Sequence, residues 1–189
     1  MPHLRRAALC TSLFLLASCA SHHAPSAPPT TPQVATTAPD APAPRDEFLN
    51  LLAGDWAMTR SIRGKTYHCN AQATWTLGDR WLRLDLHAAA EPAPPGRLPY
   101  EALVMLGYDN NAHEYIAHWH DTFGAAYGAP GRGKRTGDSI EFCFNDGGDS
   151  RIWNTFTYDR ASNTWKSLIQ NQLKGRERTF FAEETYRRR

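Results

Sequence analysis

Short runs of alternating character, each closed by a polar turn, fill the chain from Trp56 to Arg187, and no other feature limits the fold so strongly. Between Trp81 and Ala89, Leu82, Leu84 and Leu86 alternate with Arg83, Asp85 and His87. A period of two puts successive side chains on opposite faces of an extended strand, whereas a helix needs a period near 3.6. Gly107 to Asp121 shows the repeating unit: one strand ends at Gly107-Tyr108-Asp109, Asn110-Asn111-Ala112 turns the chain, and a second begins at Glu114. Asparagine tolerates the left-handed backbone that tight hairpin turns require. In the second strand Tyr115, Ala117, Trp119 and Asp121 share one face, and Ile116, His118 and His120 the other. Neither face is simply apolar, which suits a barrel with a partly polar interior.

The same spacing predicts strands over residues 56–63, 66–77, 81–89, 100–109, 114–121, 139–145, 151–158, 164–172 and 176–187. The Gly-rich stretch 124–133 reads as an irregular edge strand or a flap. Asp46 to Leu52 has apolar residues at helical spacing after an acidic start, so a short helix precedes the first strand. About ten strands joined by short turns favour an all-β, up-and-down antiparallel sheet. Closing it into a barrel removes exposed edges, and an open sandwich is the competing architecture.

The N-terminus has a different character. Arg5 and Arg6 precede an apolar run from Ala7 to Leu16, too short to span a bilayer as a helix. Leu16-Ala17-Ser18-Cys19 follows and resembles the lipobox of bacterial lipoproteins. That resemblance implies a signal peptide over 1–18, acylation of Cys19, and anchoring in the cell envelope; Ala20 after the Cys favours the outer membrane, facing the periplasm. Ser21 to Arg45 holds seven of the thirteen prolines and no aromatic residue, so residues 19–45 read as the lipidated Cys and an extended tether. His22-His23 lies in this tract, where paired histidines are more often inert than metal-binding. Residues 46–189 remain as one barrel domain.

Charge and cysteine content narrow the function. Without Arg5 and Arg6 the chain carries 19 basic and 19 acidic residues, which argues against a nucleic-acid partner. Cys69 and Cys143 each fall within a predicted strand. In an oxidising periplasm they form either a disulfide or two buried thiols, depending on how the strands approach one another.

Gly54-Asp55-Trp56 opens the first strand in the manner of lipocalin-like (calycin) barrels. Together with Gly107-Tyr108-Asp109, Trp119 and Asp121, and the terminal Tyr186-Arg187, the motif order resembles bacterial domain-of-unknown-function family 1579 within that superfold. The resemblance covers roughly residues 49–187 and implies the barrel, with no established activity. It also implies structural roles for Gly54, for Trp56 closing the base, and for Arg187 or Arg188 packing over the indole. Haem binding of the nitrobindin type, through a His near the C-terminus, is disfavoured, since the last histidine is His120.

Trp81, Arg83, Asp85, Tyr108, Trp119, Asp121, Arg151 and Trp153 are the polar and aromatic residues placed beside a cavity, with the opposite assignment, Leu82-Leu84-Leu86 inward, left open. His118 and His120, with His87 as a helper, fall short of a zinc ligand set; Asp121 faces away from both. No cofactor, metal or nucleophile motif is expected. The leading reading is an envelope lipoprotein that binds a small, partly apolar molecule. The alternatives are an enzyme using Asp121 with Arg83 or Arg151 as an anion clamp, and a protein-interaction lipoprotein.

Overall fold

The computed structural model describes residues 45–89, 96, 98–124, 129–145 and 148–189. The leader, Cys19 and the tether lie outside the described residues. One helical turn, α1 (Glu47–Asn50), precedes ten strands: β1 (Gly54–Ile62), β2 (Lys65–Thr76), β3 (Trp81–Ala88), β4 (Glu101–Asp109), β5 (Glu114–Asp121), β6 (Gly131–Thr136), β7 (Ser139–Phe144), β8 (Ser150–Asp159), β9 (Thr164–Leu173) and β10 (Thr179–Arg188). Each strand pairs antiparallel with its neighbour in sequence, and β10 returns to β1, from Trp56 opposite Arg188 to Ile62 opposite Ala182. The sheet is a closed barrel, and the sandwich alternative falls away. Among the described residues, the ten paired strands run from Gly54 to Arg188 and the core from Phe48 to Tyr186.

Two stretches depart from the expected pattern. The Gly-rich segment contributes a regular strand, β6, that starts only at Gly131. A Cβ on Gly131 would stand 2.6 Å from the Phe144 ring, and one on Gly133 would stand 2.4 Å from the Glu141 carbonyl oxygen, so glycine makes room for the neighbouring strand. The last strand begins at Thr179 rather than Arg176, because residues 174–178 fold back over the outer wall. Gln172 Nε2 donates to the Arg176 carbonyl at 3.1 Å, and the Arg178 guanidinium lies 3.6 Å from the centre of the Trp153 ring while binding Glu141.

Alternation decides the faces. Trp56, Met58, Leu82, Leu84, Leu86, Val104, Leu106, Ala117, Ile140, Phe142, Phe156, Trp165 and Tyr186 are buried, and their outward neighbours are exposed or half-buried except Gly107, which lies under the Trp81 ring, and Thr164. Most of this material fills the end where β1 begins, the base. Burying each large apolar side chain is worth about 1.5–3 kcal/mol.

Helix α1 stoppers the base. Asp46 caps it, its carboxylate accepting from Leu49 N at 2.8 Å, and Tyr115 donates its hydroxyl proton to the same carboxylate at 3.1 Å. Phe48 packs edge-on against Trp165 at 5.1 Å, with Arg135 4.1 Å from the Phe48 ring. Trp56 Nε1 donates to the Leu52 carbonyl at 2.7 Å. The arginine over Trp56 is Arg188, at 4.4 Å, and not Arg187. The register explains the choice: Arg188 stands opposite Trp56 and shares its inward face, while Arg187 is exposed on the outside. Arg188 also donates to the Ala53 and Leu51 carbonyls, both at 3.1 Å. Gly54 has φ of 126°, and a Cβ there would meet Arg188 Nη1 at 2.6 Å.

The disulfide expectation does not hold. Cys69 and Cys143 are both free. β2 and β7 are five strands apart whichever way the barrel is traversed. Cys69 moreover points inward and is buried, while Cys143 is half-buried on the outer wall.

Candidate functional site

The far end of the barrel, the mouth, is lined differently from the base. Arg60 follows Trp56 and Met58 on the inward face of β1, and stands directly opposite Glu184 on β10. Its Nε donates to Glu184 Oε1 at 2.7 Å, and Nη2 binds the same oxygen. Nη2 also donates to the Tyr100 hydroxyl at 2.9 Å, and Tyr186 donates its hydroxyl proton to Glu184 Oε2 at 2.7 Å. The Arg60 and Glu184 side chains are 11% and 0% exposed, so this is a buried ion pair. Such a pair persists only where desolvation is offset by close geometry and further hydrogen bonds, both present here.

Burial works against the Arg60 charge, yet Glu184 and the Tyr100 hydroxyl outweigh it and hold the guanidinium above its ordinary pKa. Burial pushes Tyr100 up to about 12, and raises Tyr186 and the Cys69 thiol as well. Tyr100 is therefore a neutral hydroxyl. It accepts from Arg60, and its own proton has no acceptor among the described residues. Arg60 Nη1 likewise has no hydrogen-bond partner among the described residues. Two hydrogen-bond donors beside one ion pair thus have no partner among the described residues.

Trp119 and Asp121 share the inward face of β5 at this end. Asp121 Oδ1 accepts from Phe123 N at 2.9 Å, and the exposed Phe123 ring lies 5.8 Å from Tyr100. Aromatic rings thus flank the ion pair, Arg60 lying 4.1 Å from the centre of the Tyr100 ring and Phe123 against the same tyrosine.

Of the residues singled out from sequence, only Trp119 and Asp121 belong to the mouth interior. Trp81, Arg83 and Asp85 face outward, because the leucine face of β3 turns inward. Arg83 closes on Asp85 at 2.9 Å on the outer wall, and the Trp81 ring covers Gly107 and meets His118 at 5.6 Å. Arg151 and Trp153 are outward on β8, the latter beneath Arg178 and donating to Gln172 Oε1 at 2.8 Å. Tyr108 has inward parity but lies at the base, edge-on to Tyr115 at 4.9 Å. Asp121 therefore has neither Arg83 nor Arg151 within reach, and the proposed anion clamp is not assembled. His118 and His120 point outward, and no group of three or more potential metal ligands occurs among the described residues.

Sequence reasoning missed Arg60, Tyr100 and Glu184. The signal was parity: Arg60 continues the Trp56–Met58 face, and Glu184 lies between Ala182 and Tyr186 on the inward face of β10. Two surface depressions lie away from the bore, one over β1–β3 beside Asp55, Gln72 and His87, the other at the rim by Leu173 and Arg176. No family model matches the chain, and the curated proteins contain no detectable relative.

Proposed function

We propose that the protein is a bacterial envelope lipoprotein, acylated at Cys19, whose barrel mouth binds a small, partly apolar molecule. The observation carrying this reading is the pair of donors without a partner among the described residues, Tyr100 Oη–H and Arg60 Nη1, set beside a buried ion pair with the Phe123 ring against Tyr100. Apolar walls with a few convergent polar groups are the usual make-up of a ligand site. Because Glu184 already balances Arg60, and Asp121 adds a further negative charge nearby, the favoured ligand presents an uncharged acceptor such as a carbonyl rather than a carboxylate. The filled base limits the molecule to the mouth half. Kinship with family 1579 belongs to the same proposal, supported by the Trp56–Arg188 closure and by Gly107 making room for the Trp81 ring.

Native mass spectrometry of the full-length lipoprotein released from its own envelope tests the reading. A co-purifying small mass is expected, absent from the Arg60→Met, Glu184→Leu double variant. An empty wild-type barrel, or a mass retained by the double variant, sinks it. Mass analysis of the mature N-terminus separately checks the acyl chains.

A further inference from the structure

Five of the eight large apolar side chains exposed among the described residues lie at the mouth end: Tyr67, Leu98, Phe123, Leu173 and Phe180. Three of them belong to two hairpins that stand side by side, since β1 pairs with β10. The β1–β2 tip carries Arg63 and Lys65 next to Tyr67, and the β9–β10 tip carries Lys174 and Arg176 between Leu173 and Phe180. Leu173 and Phe180 are 61% and 59% exposed. Arg63, Lys65 and Arg176 are exposed and make no ion pair among the described residues, and Lys174 has only a loose one, 3.4 Å from an equally exposed Asp149. Over residues 62–67 and 173–180 there are five basic side chains and one acidic one.

The turns at the base are balanced instead. Asp79 pairs with Arg45 and Asp138 with Arg160, while Asp109 accepts from Asn111 N and Ala112 N, and Asp159 accepts from Ala161 N and Ser162 N. The mouth hairpins differ from these turns in that Arg63, Lys65 and Arg176 have no carboxylate partner among the described residues and stand beside exposed Leu173 and Phe180. Exposed Leu and Phe flanked by unpaired Lys and Arg match an interface of apolar acyl chains beneath anionic headgroups, because each ring or isobutyl group gains by leaving water while the cations stay at headgroup level.

We propose that these adjacent hairpin tips dock the mouth of the barrel onto an anionic lipid surface. Charge complementarity selects that occupant: an apolar partner surface alone would leave Arg63, Lys65 and Arg176 without counter-charge. The inference does not depend on what the mouth holds.

Residues 46–189, which contain the whole barrel and its stopper, are the material for the test, so that no acyl chain contributes. Co-sedimentation is measured with phosphatidylcholine vesicles and with vesicles containing phosphatidylglycerol. Binding to the anionic vesicles alone, weakening as salt is added, is expected. The Arg63→Glu, Lys65→Glu, Arg176→Glu variant should partition at least roughly a hundredfold more weakly, about fivefold for each of the three cations removed. Leu173→Ser, Phe180→Ser should also weaken it, with circular dichroism unchanged in both variants. Arg187→Ser, at the base, should bind like wild type. Failure of the wild-type domain to bind anionic vesicles overturns the proposal, as does loss through Arg187→Ser with the tip variant unaffected.

Discussion

The two ends of the barrel solve the same problem with opposite materials. At the base, indole, phenyl and leucine side chains fill the bore, and Arg188 spends its cation on the Trp56 face and on two backbone carbonyls. At the mouth an arginine and a glutamate face one another inside the wall, each braced by a tyrosine hydroxyl. The base is a packed plug whose worth is area removed from water. The mouth is a polar network whose worth depends on every member being present. Closure of one end by packing leaves the other to carry donors that no described residue engages.

Removing a single partner should separate these two economies. Trp56→Ala takes away a fully buried indole and the hydrogen bond to Leu52, and should cost about 3–5 kcal/mol by chemical denaturation. A loss under about 1 kcal/mol would mean that the plug is not packed as described. Glu184→Gln strands a buried guanidinium and should cost up to about 3–5 kcal/mol, whereas Arg60→Met, Glu184→Leu together should be near neutral. If the double variant is as unstable as the single one, the network has been misread as replaceable.

Alkaline titration gives a smaller, sharper contrast. Burial raises Tyr100 and Tyr115 to about 12 each, one at either end of the barrel. Since the folded values exceed the unfolded ones near 10, the folded protein holds more protons between them. Stability should be complete below about pH 10 and fall as pH rises towards 12. Absorbance at the tyrosinate band should show at least two phenols ionising late, one of them removed by Tyr100→Phe and another by Tyr115→Phe. Early ionisation of either would place that hydroxyl in water.

The least disruptive probe is thiol chemistry. Under denaturing, non-reducing conditions residues 46–189 should yield both Cys69 and Cys143 as free thiols. In the native protein Cys143, half-buried on the outer wall, should be alkylated before the buried Cys69. A single protected disulfide would require the walls to lie in a different order.

Strand number, turn positions and the closing helix were legible because each has a local cause. Asn110-Asn111 and Gly64 sit where hairpins turn, and the leucines of β3 alternate without a break. The inward face was not legible from β3 alone, since a charged face may line a wet bore or meet solvent. It became decidable only through the neighbours, where Leu84 stands opposite Ala73 and Val104. The same gap hid the mouth site. Arg60 and Glu184 are 124 residues apart and become partners only because β10 returns to β1. Nothing in either local sequence distinguishes a charge destined for burial from one at the surface. Arg83 and Asp85, close together in sequence, looked the better pair and turned out to be an exposed one.

That return of β10 to β1 has a further consequence. Every other pairing joins neighbours along the chain, so the barrel is a linear series of hairpins until its single seam is sewn, and Arg188 ties the final strand to Ala53, just before the first. First and last strands meet along that one line. The barrel is in effect a ring with a nick, and topology alone would permit the nick to be moved to another turn by circular permutation.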